Sequence, residues 1–110
     1  MSLAVLFLDD KVIRRDGFVA RFGFEPIWIT NSKDVIEVIG KHYWDMISLD
    51  HDLIDGDNGM LVVDWIIKHR PSIGSILVHS TNIDRSMRMI SRLRDSGYFV
   101  RYSPIETDLP

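Results

Sequence analysis

The amino-acid sequence predicts an α/β fold, a doubly wound parallel sheet of five strands with helices on both faces. Three observations carry the prediction. Short apolar runs alternate with amphipathic stretches of roughly ten residues, the pattern of strand–helix–strand units. Several strand-like runs are apolar at successive positions rather than at every second one, as in strands covered on both faces. Glycine, proline, serine or asparagine stands at most changes of period, where turns and helix caps need them.

The elements follow in order. Leu3–Leu8 is a continuous apolar run too short for a free-standing helix and reads as a buried strand. Residues 11–22 set charges among Val12, Ile13, Phe18, Val19 and Phe22, which suits a helix that Gly23 can cap. Pro26–Thr30 is a second strand. Asn31 or Ser32 can cap a helix running to about His42, with Val35, Ile36, Val38 and Ile39 on its inner face. Asp45–Asp50 is a third strand, and Asp52–Gly59 is a polar loop in which Asp55 and Asp57 read as turn residues. Met60–His69 is an apolar helix stopped by Pro71. Ile73–Ser80 is a fourth strand, Asn82–Arg94 a helix closed by the Ser96–Gly97 turn, and Tyr98–Ser103 a fifth strand. The last residues read as a polar tail too short for a further helix. Right-handed crossovers between five parallel strands lead to the flavodoxin-like order 2-1-3-4-5. Leu6, Leu8, Ile47, Leu49, Ile76 and Val78 are expected in the core.

Composition narrows the function. A chain of 110 residues fits one domain, spanning 1–110, and 45% hydrophobic with 26% charged residues fits a globular one. The net charge of −3 argues against a duplex-DNA-binding domain and leaves small phosphate ligands open. The chain has no cysteine, which excludes disulfides, zinc–thiolate sites and thiol nucleophiles. No apolar run approaches the ~20 residues of a membrane span, and the N-terminus lacks a basic leader region, so a cytoplasmic protein is expected. Oligomeric state is not legible.

The chemistry gathers at the strand ends. Asp9, Asp10 and Lys11 follow the first strand; Asp50, His51 and Asp52 follow the third; His79, Ser80, Thr81 and Asn82 follow the fourth. Strands 1, 3 and 4 are neighbours in the expected order, and ligands of such sheets bind outside the carboxyl ends of the strands. Each group has an ordinary explanation: Asp9 and Asp10 can end a strand, His51 can pack in a loop, and His79 can be a satisfied core histidine. Three strands ending in ionisable residues at one rim favour a site. Carboxylates from two strands can hold a hard divalent cation, Mg²⁺ or Mn²⁺. Two imidazoles can act as general base and acid on a phosphoester. Asn82 opens a helix whose free N–H groups suit an anion, and Lys11 and Arg14 can add positive charge. Crowding is expected to raise at least one carboxyl pKa, and nearby anions to raise those of the histidines.

The segments LFLDD, SLDHDL, a following glycine and VHSTN together resemble the receiver superfamily of two-component signalling. More narrowly, they resemble the family of cyclic-phosphate processing receiver domains, over nearly the whole chain. The receiver resemblance implies a metal-binding pair at Asp9 and Asp10, a phosphoacceptor at Asp50 and the glycine beyond it at Gly59. Two features depart from it. His79–Ser80 stands where the receiver has a hydroxyl residue. Ser103–Pro104 stands where it has the lysine that pairs with the aspartyl phosphate, a role for which Arg101 is a candidate. The narrower resemblance accounts for histidines after the third and fourth strands. It implies processing of cyclic phosphate ends on nucleotides or RNA, with Asp9, Asp10, Asp50, His51, Asp52, His79, Ser80 and Asn82 as the site.

The resulting expectation is a phosphoesterase acting on a phosphorylated small molecule, a nucleotide or an RNA end. His51 and His79 share the acid–base work with Asp50, and Asp50 or Asp52 orients an imidazole. Asp9, Asp10, Asp50 and Asp52 hold the metal, or the acidic pair holds a cationic side chain instead. Ser80, Asn82, Lys11 and Arg14 contact phosphate. The alternatives are a divergent response-regulator receiver phosphorylated on Asp50 and a non-catalytic interaction module on the same fold. On the last helix Arg85, Arg88 and Arg92 share one face, either a solvated stripe or a guide for RNA, and Ile83, Met87 and Ile90 are expected to face the sheet.

Overall fold

The structure, a computed structural model, describes residues 3–105. Five strands, β1 (Val5–Leu8), β2 (Ile27–Ile29), β3 (Trp44–Leu49), β4 (Ile73–Val78) and β5 (Val100–Tyr102), form one sheet in the order β2-β1-β3-β4-β5, and every pairing is parallel. Four helices connect them: α1 (Val12–Phe22), α2 (Ser32–Ile39), α3 (Met60–His69) and α4 (Ile83–Asp95). This is the flavodoxin-like order expected from the sequence. The tail expected at the chain's end lies, from residue 106 on, outside the described residues. Among the described residues no helix is long and apolar enough to cross a membrane.

Local chemistry sets the boundaries. Gly23 ends α1 in the left-handed region, at φ 81°, with its N–H on the Val19 carbonyl. The Asn31 side chain caps α2 by accepting from the Asp34 N–H at 2.9 Å. That helix stops before Gly40, short of His42, and a Cβ at Gly40 would stand 2.9 Å from the Trp65 ring. β1, β2, β4 and β5 are shorter than the segments that signal them, and β3 has the expected length but starts one residue earlier, at Trp44.

The sheet has unequal faces. Leu6, Leu8, Ile47, Leu49, Ile76 and Val78 are fully buried on one face under α2, α3 and α4. Complete burial of each such side chain contributes about 1.5–3 kcal/mol. On the other face Val5, Phe7, Phe18 and Ile105 form a smaller cluster with Phe22, Phe24, Trp28 and Met46. Where a further helix would be needed to cover this face, the segment after β5 crosses to α1. There Ile105 lies so close that a Cβ on Gly17 would be 2.7 Å from it.

Two expectations about elements are corrected. On α4 the buried face is Ser86, Met89, Ile90 and Leu93, while Ile83 and Met87 are exposed. The Ser86 hydroxyl donates to the Ser80 carbonyl at 3.2 Å, which turns Ser86 inward and carries Ile83 and Met87 to the flank. Of the arginine stripe, Arg92 is tied to Asp64 of α3. Asp57 is also more than a turn residue. Its carboxylate accepts from the Ser32 N–H at 2.8 Å and the Ser32 hydroxyl at 2.5 Å, pinning the loop to the first residue of α2.

The loop between β3 and α3 is a miniature hairpin. Asp52 bridges Asn58, and Asp55 and Gly56 take φ values of 57° and 76°, the paired left-handed conformation of a type I′ turn. Gly59 closes it. Its N–H donates to the His51 carbonyl at 2.8 Å, and a Cβ there would stand 1.8 Å from the Asp50 carbonyl oxygen. The glycine therefore presses the returning chain against the end of β3 and sets where Asp50 and His51 point.

Candidate functional site

Asp9, Asp50 and His79 converge at the carboxyl ends of β1, β3 and β4, all buried, with one potential ligand atom from each within 4.8 Å of the others. The first turn of α1 brings Arg14 to them. Its Nη1 donates to Asp50 Oδ2 at 3.0 Å and to Asp9 Oδ2 at 3.4 Å. The remaining carboxylate oxygens meet backbone: Lys11 N–H donates to Asp9 Oδ1 and His51 N–H to Asp50 Oδ1, each at 2.9 Å. The Trp28 indole N–H donates to the Asp9 carbonyl at 2.7 Å and holds the end of β1 in place.

His79 is wholly buried and stacks on Phe7, with ring centroids 4.5 Å apart. Its Nε2 lies 2.9 Å from Asp9 Oδ2 and its Nδ1 2.7 Å from Ser48 Oγ. An ionised Asp9 requires the proton on Nε2, so Nδ1 accepts from the Ser48 hydroxyl. Both ring nitrogens are thereby used, and the ring is placed to hold Asp9.

A second group lies nearer solvent. His51 Nδ1 is 2.7 Å from Asp52 Oδ1, and Asn82 Nδ2 donates to Asp52 Oδ2 at 3.4 Å. The ring is largely buried and Asp52 mostly exposed. His51 Nε2 makes no hydrogen bond among the described residues. Asn82 also caps α4 by accepting from Arg85 N–H at 3.3 Å. The two groups are joined through the Asp50–His51 backbone, and no hydrogen bond links the two imidazoles.

Burial and charge divide the titrations. Burial pushes the Asp50 carboxyl up to about 7, and the neighbouring Asp9 charge adds to the rise against the opposing Arg14 guanidinium and His51 N–H. Burial would raise Asp9 too, but the hydrogen bond and charge of His79, with Lys11 N–H and Arg14, hold it below the ordinary range. Asp52 is lowered, first by its hydrogen bond to His51. The raised carboxyl agrees with the expectation from crowding. The expected rise at the histidines is corrected at His79, whose pKa is lowered because burial disfavours the charged ring more than Asp9 favours it.

The other expected residues fall around this frame. Asp10 is half-buried, and its Oδ1 is buried with no hydrogen-bond partner. Lys11 is exposed. Ser80 is buried; its hydroxyl accepts from Asn82 N–H at 3.2 Å and its carbonyl from the Tyr102 hydroxyl at 2.9 Å, so it shapes the turn into α4. Arg101 is exposed on β5 and makes no ion pair among the described residues, so the cation at Asp50 comes from α1. Ser48 and Phe7 went unread as site residues because, as sequence, they belong to apolar strands. Only the register, which pairs Phe7 with Ser48 and Ser48 with Leu77, brings them beside the residue after β4.

The sequence suggests a divalent cation at this cluster. Asp9, Asp50 and His79 lie close enough to share an ion, whereas Asp10 and Asp52 are not part of that trio. The oxygens that converge are already bonded to Arg14 and His79. As folded, the donor set fits a guanidinium better than Mg²⁺ or Mn²⁺.

A sequence model of the cyclic-phosphate processing receiver domain matches residues 4–95. Among solved structures, the receiver domain of the Francisella response regulator 1452 superposes with a TM-score of 0.68 at 20% identity, covering 97% of this chain and 88% of that one. The signal receiver domain of a putative Luxo repressor protein from Vibrio parahaemolyticus gives 0.63 at 22% identity, over 98% and 83%. The BeF3-activated receiver domain of Nitrogen Regulatory Protein C gives 0.67 at 18%, over 98% and 88%. At these identities the likeness is one of fold. No curated protein matches the sequence.

Proposed function

This chain belongs to the cyclic-phosphate processing receiver domain family, and on that premise we propose that it is a phosphoesterase that opens cyclic phosphates on nucleotides or RNA ends. The observation that carries the reading is the Asp52–His51 pair. A carboxylate on Nδ1 fixes the ring and its tautomer, and leaves Nε2 free of protein partners. That is the arrangement of a general base. In the proposed step His51 Nε2 takes a proton from water as the water oxygen bonds to phosphorus. One ring P–O bond breaks, and the leaving oxygen takes a proton from a second water, whose hydroxide then takes back the proton held by His51. The N–H groups at the start of α4, with Lys11 and the unbonded donors of Arg14, face the phosphate oxygens. His79, with both nitrogens engaged, acts as a positioning residue for Asp9.

The test is the rate of opening of a 2′,3′-cyclic nucleotide by wild type and H51A. Loss of an acid–base group should lower kcat by about 10²-fold or more, with KM little changed. An H51A variant as fast as wild type overturns the assignment. A second reading, a receiver phosphorylated on Asp50, is favoured by that carboxylate's position at the end of β3 beside Asp9 and a cation. It predicts a base-labile phosphoryl adduct from acetyl phosphate that D50N cannot form.

A further inference from the structure

We infer that Arg14 is a built-in substitute for a divalent ion: its guanidinium fills the cation position between Asp9 and Asp50 and keeps metal off both carboxylates. The inference goes beyond the proposed reaction and stands whether or not the chain hydrolyses a phosphoester.

The geometry leaves little for an ion to bind. A Mg²⁺- or Mn²⁺-type cation needs one or two free carboxylate oxygens and room for its waters. Here all four oxygens of Asp9 and Asp50 are engaged: Oδ2 of each by Arg14, and Oδ1 of each by a backbone N–H. The third neighbour, His79, presents an N–H to Asp9 rather than a lone pair. Among the described residues Asp10 makes no hydrogen bond, its Oδ1 being buried without a partner, and one carboxylate alone holds such an ion weakly.

Arg14 is also held where it is. It leaves the first turn of α1, five residues after Asp9, and its backbone N–H donates to the Lys11 carbonyl at 3.2 Å. The side chain is 17% exposed, so the guanidinium closes the rim over Asp50. An entering ion would have to break charge-assisted bonds and then sit beside the displaced positive charge. The cation that the receiver pattern places after β5 is replaced, on the same argument, by one delivered from α1.

The experiment is a Mn²⁺ titration of the full chain by calorimetry, with wild type, R14Q and R14Q/D50N. Wild type should show no saturable site below about 1 mM. R14Q should gain one at least ~10-fold tighter, and R14Q/D50N should lose it again. Melting curves supply a readout independent of binding heat: Mn²⁺ should raise the Tm of R14Q and not that of wild type. If R14Q is unfolded without metal, Mn²⁺ should restore its fold. Saturable sub-millimolar binding by wild type, an R14Q that binds no tighter, or an unfolded R14Q that Mn²⁺ does not rescue would each overturn the inference.

Discussion

At the scale of single residues, the two rim histidines have opposite environments and should answer mutation in opposite ways. His79 is packed on Phe7 and bonded to Ser48 and Asp9, so H79A leaves a cavity, a buried Ser48 hydroxyl without a partner and a buried Asp9 carboxylate short of a donor. A loss of about 3–5 kcal/mol is expected by urea unfolding, against less than half of that for H51A, whose ring bonds only the exposed Asp52. Equal losses would show that His51 is as structural as His79. Asp50 makes a pH prediction. Its carboxyl titrates near 3.8 unfolded and about 7 folded, so the native state holds an extra proton between those values. Stability from this group therefore falls as pH rises through that window, by on the order of 4 kcal/mol as an upper bound. D50N removes the titration, and its stability relative to wild type should improve between about pH 4 and pH 7 and level off above. A gap that stays constant or widens against D50N would contradict the assigned environment. The acidic and imidazole members of this cluster were legible in the sequence, since each directly follows an apolar strand. Which of them is buried was not, because burial depends on Phe7 and Ser48 from neighbouring strands.

At the scale of elements, placement of the site depends on how the β3–α3 loop returns. Gly59 lies in the ordinary right-handed region, so its need for glycine comes from close approach to the Asp50 carbonyl rather than from φ. G59A must push the loop off the end of β3. It should cost about 3 kcal/mol by thermal or urea unfolding and shift the amide resonances of Asp50 and His51. A neutral G59A would mean the loop yields without moving the site. The helices show how far periodicity reaches. The apolar run Met60–His69 predicts the bounds that α3 adopts, because it ends at a proline-flanked turn. On α4 several rotations place aliphatic residues inward, and the choice among them rests on the Ser86–Ser80 hydrogen bond, which hydrophobic spacing does not encode. The two edge strands, β2 and β5, are three residues each, shorter than the segments Pro26–Thr30 and Tyr98–Ser103 that signal them, because each pairs with a neighbour on one side only.

At the scale of the whole molecule, strand order and the rim were legible because both follow from chain order. Alternating strands and helices with right-handed crossovers leave few arrangements, and each of those carries its ligands at the carboxyl ends of the strands. The source of the central cation was not legible. Arg14 was one of several basic residues after the acidic pair, and only the path of α1 distinguishes it from Lys11 or Arg101. The resulting molecule is a receiver fold whose acidic pocket is closed by its own guanidinium, with an Asp–His pair facing outward beside it. The most direct test follows the phosphorus of a 2′,3′-cyclic nucleotide by ³¹P NMR, with wild-type protein in chelator-treated buffer. The account predicts loss of the cyclic phosphate resonance and growth of a phosphomonoester resonance, without added metal. An unchanged cyclic phosphate over hours, with and without Mg²⁺ or Mn²⁺, would contradict it.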